Sequence, residues 1–247
     1  MSTLTPTIDP IEDVTPSKSF SNARLGDPPE TGSPNGGYLA KLLLEASIAK
    51  FELDELAPRV VTVQFISPPA FELMGIDIEV LRKGRSSCFL SAKAYQSGQV
   101  RIVGQLCYGR SENSPRHQPD KMPEALEPEA CLKAQLPRGM WPHFSQHCEY
   151  RIAHSPAAFN GAERAEMLCW IRMRDVPLDA GGLLFLFDSM FPTFFLAATT
   201  PYHSVTADFH VEYSDSFLEQ GRGTWVLIRL RVREWAGGWC IEDAEAW

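Results

Sequence analysis

Asp188 is the residue whose type and surroundings together point to chemistry. It sits in the middle of DAGGLLFLFDSMFPTFFL, residues 179–196, a stretch apolar on nearly every helical face. A helix of that kind has to be wrapped by other structure. A carboxylate buried there without partners takes up a proton rather than stay charged. A chain that keeps one in such a place either satisfies it with hydrogen bonds or uses it as a proton acceptor. Structural pairing perturbs carboxylates too, so both readings stand.

Other reactive-looking groups carry less. GRSSC at 84–88 lacks the final glycine of a nucleophile elbow, which leaves a serine hydrolase without support. His143 and His147 are four residues apart, but they follow Pro142 and no third ligand is evident, so no metal site is expected. Cys88, Cys107, Cys131, Cys148, Cys169 and Cys240 form no CxxC pair and read as reduced, mostly buried thiols. Glu242, Asp243, Glu245, Asp208 and Glu212 fall mostly on alternating strand positions, as solvated faces or ion pairs do.

The bulk composition narrows the ligand class. With 247 residues, 44% hydrophobic and 22% charged, the chain can build one large core or two smaller ones. A net charge of −8 without a Lys/Arg cluster argues against nucleic acid. Neither a signal peptide nor a membrane-spanning run is evident, so an intracellular, cytoplasmic location with no membrane partner is the default expectation. Small molecules or proteins remain as partners.

The elements that would position Asp188 follow from periodicity. Residues 1–17, rich in Thr, Pro and Asp, read as a flexible leader, with order beginning near Phe20. GSPNGGYLAKLLLEASIAKF at 32–51 is a helix that Ser33 or Asn35 can cap. Strands are expected at 60–67, 71–81, 87–95 and 99–108, antiparallel because their connections are short. From Arg110 to Pro142 six prolines forbid a continuous helix or strand, which makes this stretch a linker. Strands resume at 149–154 and 165–174. The organising helix of 179–196 follows, capped by Asp179, and Pro192 should end or kink it at a cost of ~3 kcal/mol were it truly interior. Strands at 205–213, 224–234 and 239–247 close the sequence, the last two joined by a turn at Ala236-Gly237-Gly238.

The two halves repeat. Gly36-Gly37, a helix and VTVQF at 61–65 correspond to Gly181-Gly182, a helix and VTADF at 205–209. A shared glycine pair, helix and pentapeptide in the same order favour a duplicated module. After VTVQF three more strands are expected, after VTADF only two, so either the second sheet is one strand short with an edge left open, or the sequence is a truncated form.

NGGYLAKLLLEA at 35–46, VQFISPPA at 63–70, RKGRSS at 82–87, LLFLFDSMFP at 183–192 and WVLIRLRVREWAGGW at 225–239 together resemble the double-hotdog acyl-CoA thioesterases, those like bacterial thioesterase II and the wider thioesterase-like superfamily. The resemblance implies an α+β fold of two tandem hotdog modules, each a central helix wrapped by a curved antiparallel β-sheet. Its boundaries would be a leader at 1–17, a first module at 18–110, a Pro-rich linker at 111–144 and a second module at 145–247. It further implies an acyl-CoA or related thioester between the modules, with no metal and no organic cofactor.

Residue by residue, the family's catalytic Asp falls on Asp188 and its Thr on Thr206. Its third member, a Gln on the last strand of the second module, finds no counterpart up to Trp247. Asp188 would then activate or orient a water that Thr206 also holds. The backbone N–H groups of Gly36, Gly37 and Tyr38 at a helix start would suit an oxyanion. Arg85 in the matched turn would approach the CoA phosphates unless it is simply solvated. Phe191, Phe194 and Phe195 would line an acyl tunnel unless they are plain core. Three readings remain open on the sequence: a thioester hydrolase, a catalytically silent acyl- or polyketide-thioester binding protein, and an oligomer contact at the open sheet edge.

Overall fold

A computed structural model describes residues 11–51, 53, 56–134, 140–174, 178–220 and 225–247. In chain order the elements are β1 (Ile11–Val14), α1 (Gly36–Phe51), β2 (Ala57–Phe65), β3 (Met74–Lys83), β4 (Ser87–Gln96), β5 (Gln99–Gly109), β6 (Leu132–Lys133), β7 (Cys148–His154), β8 (Glu166–Met173), α2 (Ala180–Asp188), α3 (Phe194–Ala197), β9 (Asp208–Glu212), α4 (Asp215–Gln220), β10 (Val226–Ala236) and β11 (Trp239–Ala246). They form two antiparallel sheets, ordered β1-β3-β4-β5-β2-β9 and β11-β10-β8-β7-β6. This is the α+β double-hotdog arrangement.

α1 starts where Asn35 accepts the Tyr38 N–H on its side-chain oxygen at 2.9 Å, so Asn35 rather than Ser33 is the cap. α2 starts on Asp179, which accepts the Gly182 N–H at 2.6 Å. The helix expected over 179–196, with an end or kink at Pro192, divides into α2 and α3 around that proline. Pro192 has no N–H to give the Asp188 carbonyl four residues back, and its ring disfavours helix at Phe191, so α2 stops at Asp188. The Ser189 hydroxyl satisfies the Phe185 carbonyl at 2.7 Å, and the chain resumes helix at Phe194.

Two expectations need correction. Of the leader expected over 1–17, residues 1–10 lie outside the described residues, but Ile11–Val14 is a strand paired with β3. Among its described residues the linker forms no continuous helix or strand, only a 3-10 turn at Pro128–Ala130 and the two residues Leu132–Lys133 paired with β7. The strand expected from Val205 begins only at Asp208, and β9 joins the first sheet, with Val63 opposite Phe209 and Val61 opposite Val211. The two copies of the repeated pentapeptide thus meet side by side at the module boundary. The strand expected from Thr224 has its start outside the described residues, and β10 is seen from Val226. Gly237 and Gly238, both with positive φ (59° and 82°), make the tight hairpin turn into β11.

One core runs through both modules. Leu39, Leu43 and Leu44 of α1 and Leu183, Leu184 and Phe185 of α2 are buried in the same cluster as the inward positions of β2 to β5 and β8. α1 and α2 cross at Gly37, where an added Cβ would collide with the Leu184 carbonyl oxygen and lie 2.8 Å from the Asp188 Cβ. Among the described residues no helix is long and apolar enough to cross a membrane.

The crossing predicts a selective intolerance. Gly37→Ala should destabilise the fold by about 1–3 kcal/mol in denaturant melts, the usual cost of overpacking a core. Gly75→Ala, whose Cβ would meet nothing closer than 3.8 Å, should change stability little.

Candidate active site

Asp188 is the last residue of α2 and lies at the first turn of α1. Its Oδ2 accepts the Gly37 N–H at 3.0 Å and its Oδ1 accepts the Thr206 hydroxyl at 3.1 Å. Its carbonyl oxygen, left free by Pro192, accepts the side-chain N–H of Asn35 at 3.1 Å. Asn35 is fully buried and works in both directions, capping α1 with its oxygen and pinning the end of α2 with its nitrogen. The carboxylate therefore sits at the positive end of one helix while carried on the end of another.

Glycine makes the approach feasible. A Cβ on Gly36 would lie 2.9 Å from the Phe65 ring and 3.2 Å from the Asp188 Oδ2. Burial pushes the Asp188 carboxyl above its ordinary range, and the Gly37 N–H, the Thr206 hydroxyl and the Gly36 N–H pull the other way without reversing it. Asp188 is nevertheless not sealed in packing. With Thr206 it lines a cavity of ≈ 3210 Å³ that also takes in Phe65, Phe191, Phe195 and Trp235. Phe191 and Phe195 meet edge to face, with ring centroids 5.2 Å apart.

Comparison with known proteins agrees with this arrangement. Residues 26–109 match the family model of the acyl-CoA thioesterase N-terminal domain and residues 128–247 that of the C-terminal domain. The chain belongs to the acyl-CoA thioesterase family. Among solved structures it is similar to a conserved hot dog fold protein of unknown function from Alicyclobacillus acidocaldarius (TM-score 0.84, 22% identity, covering 95% of this chain and 86% of that one). It is also similar to a candidate thioesterase II from Thermobifida fusca (0.76, 14%, 100% and 92%) and to an acyl-CoA thioesterase II from Mycobacterium marinum (0.65, 20%, 87% and 83%). No curated protein sequence matches.

Within this thioesterase fold the expected site residues separate. Asp188 and Thr206 come together, although Thr206 lies in an exposed extended segment before β9 and not on a strand. Phe191, Phe194 and Phe195 line the cavity. Arg85 does not; it is exposed in the turn between β3 and β4, away from the cavity lining. Of the three N–H groups expected at an oxyanion, those of Gly37 and Gly36 face the Asp188 carboxylate and that of Tyr38 is bonded to Asn35.

Two residues escaped the sequence reading. Asn35 was visible only as one of two caps, and its second bond depends on α2 arriving from 153 residues away. Glu242 falls among the solvated acids on the sequence, yet its carboxyl accepts the Phe194 N–H at 2.9 Å; burial pushes it up, and the Phe194 and Thr193 N–H groups pull the other way. Of the other acids, Asp215 pairs with Arg59, Glu245 with Arg229 and Asp243 with Arg231. Among the described residues no group of three His, Cys, Asp or Glu is placed to hold a metal. His143 bonds the Asp27 carbonyl at 2.7 Å and His147 stacks on Phe20. Burial raises the Cys148 and Cys169 thiols to about 12, too high for reactive thiolates.

The raised Asp188 carboxyl links stability to pH. A folded pKa above the unfolded value means the folded state holds the proton more tightly. The contribution is present below the unfolded pKa of about 4 and is lost as pH rises through the folded value. Asp188→Asn should therefore raise the melting temperature at neutral pH, and the gain should shrink towards zero near pH ~4.

Proposed function

We propose that the chain hydrolyses acyl-CoA or a closely related thioester by direct attack of water, with Asp188 as the general base and Thr206 as the group that holds the water and the base in line. The observation that carries this reading is a half-buried carboxylate with a raised pKa, fixed by two donors, at the wall of an open cavity. Membership of the acyl-CoA thioesterase family supports the substrate class.

In this scheme the ionised Asp188 accepts a proton from water as the water oxygen bonds to the thioester carbonyl carbon. The tetrahedral species collapses with cleavage of the C–S bond. The proton passes from Asp188 to the departing sulfur, leaving a carboxylic acid and a free thiol. Desolvation helps because a base with a pKa nearer the working pH is a better proton acceptor than an ordinary aspartate. The Gly37 N–H and the Thr206 hydroxyl, one on each carboxylate oxygen, hold Asp188 in one orientation. Phe191 and Phe195 offer apolar wall to the acyl chain.

A second reading is favoured by one observation. The N–H groups expected to serve an oxyanion are spent on Asp188 and Asn35. A protein that binds acyl or polyketide thioesters without turning them over would have that arrangement.

Two measurements decide between them. A panel of acyl-CoAs assayed for free thiol should show turnover that Asp188→Asn lowers at least about 100-fold and Thr206→Val lowers less, in line with loss of general-base catalysis. Binding without turnover in the unmodified protein would favour the second reading. The acidic limb of kcat/KM against pH should report a base that loses its charge above the ordinary aspartate value of about 3.9, and Asp188→Asn should abolish that limb.

A further inference from the structure

Asp188 is the last residue of α2, and α2 is only nine residues long. Helix ends fray, and the final carbonyls of a helix have no partner within it. A carboxylate carried there keeps its aim only if something outside the helix holds the chain that follows. Two side chains do so. The Asn35 amide donates to the Asp188 carbonyl at 3.1 Å, and the Tyr150 hydroxyl donates to the next carbonyl, that of Ser189, also at 3.1 Å. Pro192 has no N–H to offer the first of these carbonyls. The Thr193 N–H, which a continuing helix would give to the second, faces Glu242 instead.

The two donors come from different modules, and both are fixed. Asn35 stands at the start of α1, 1% exposed, with its own N–H on the Phe20 carbonyl at 2.8 Å. Tyr150 lies on β7 opposite Ile171 of β8; its carbonyl accepts the Ala134 N–H at 3.2 Å, and its ring lies 5.3 Å from that of Trp141. Burial, and then the Cys148 thiol beside it, push the Tyr150 hydroxyl well above the usual tyrosine range, so it stays protonated and keeps its donor at neutral pH. Ser189 is itself buried and spends its own hydroxyl on the Phe185 carbonyl. A buried carbonyl needs a partner, and Tyr150 is the side chain that supplies it.

Fixing two successive carbonyls fixes two successive peptide planes. With the N-terminal side of Asp188 held in the helix, its Cα–Cβ bond is left one direction, and that direction brings Oδ2 to the Gly37 N–H and Oδ1 to the Thr206 hydroxyl. We propose that Tyr150 is a positioning residue for Asp188, acting with Asn35 as a two-point clamp on the end of α2 that keeps the carboxylate on both of its donors. The proposal rests on the reading of Asp188 as the general base. Tyr150 lines the same cavity as Asp188, so direct contact with a substrate is the rival account of its hydroxyl.

The test uses the whole chain. Tyr150→Phe keeps the ring against Trp141 and removes only the hydroxyl, and Asn35→Ser removes the donor to Asp188 while a serine can still cap α1. Each should lower kcat about 10-fold or more with KM held within about twofold, the pattern of a displaced catalytic group. Each should also move the acidic limb to higher pH, because the Gly37 and Thr206 donors that favour the charged carboxylate then sit farther from it. Made in Asp188→Asn, neither should lower the remaining rate by more than about twofold, since an effect that passes through Asp188 vanishes with it. Equal fractional losses in both backgrounds, or a lower melting temperature with kcat and the acidic limb unchanged, would overturn the proposal by making Tyr150 a structural residue. A raised KM with kcat kept in Tyr150→Phe would overturn it too, by placing the hydroxyl on the substrate. The Asp188 carboxyl is also titrated by carboxyl-carbon NMR in protein without substrate. An upward shift in Tyr150→Phe supports the clamp and an unchanged titration overturns it, whether or not the unmodified protein turns over any thioester. Absence of all turnover in the unmodified protein sinks the hydrolytic reading alone.

Discussion

The contact on which the rest depends is the crossing of α1 and α2 at Gly37. Without a side chain there, the start of α1 comes against the Leu184 carbonyl, and the end of α2 delivers Asp188 to the N–H groups of Gly36 and Gly37. The same contact seals the two modules into one core, because Leu39 and Leu43 on one helix and Leu184 and Phe185 on the other belong to a single buried cluster. Fold and site are consequences of one close approach.

That approach solves an electrostatic problem locally. A carboxylate in apolar surroundings loses its hydration, and two hydrogen bonds and a helix N-terminus offset only part of the loss, which leaves Asp188 more basic than a surface aspartate. Pro192 contributes from a distance in sequence. By withholding an N–H it ends α2 at the residue that matters and frees a carbonyl that Asn35 then binds. Asn35 ties the two helix ends together with both ends of one amide. The chemistry open to Asp188 thus rests on neighbours that do not themselves touch a substrate.

The modules are alike in plan, with different strand counts among the described residues. The first has a fully paired sheet around α1, whereas in the second α2 is a shorter helix and its sheet stops at β11. β2 pairs with β9, each holding part of a repeated pentapeptide, which brings the boundary between modules, the cavity and Asp188 to the same place. Glu242 on β11 accepts the Phe194 N–H, so the second sheet also steadies the segment that carries Phe191, Phe194 and Phe195.

The sequence by itself determined the α+β class, the duplicated order of elements, the cap on Asp179 and the setting of the Asp188 carboxylate among apolar residues. Those follow from local periodicity, turn chemistry and the cost of a carboxylate among apolar residues, all of which act within a few positions along the chain. It could not determine that the Gly36 and Gly37 N–H groups serve Asp188 rather than a substrate, that Asn35 reaches across to α2, that β9 belongs to the first sheet, or that Arg85 lies away from the cavity. Each of these depends on where a distant segment arrives in space. A hydrogen-bond donor is committed by the acceptor nearest to it, and a strand by the edge that offers it partners, and only the packed tertiary structure decides which those are.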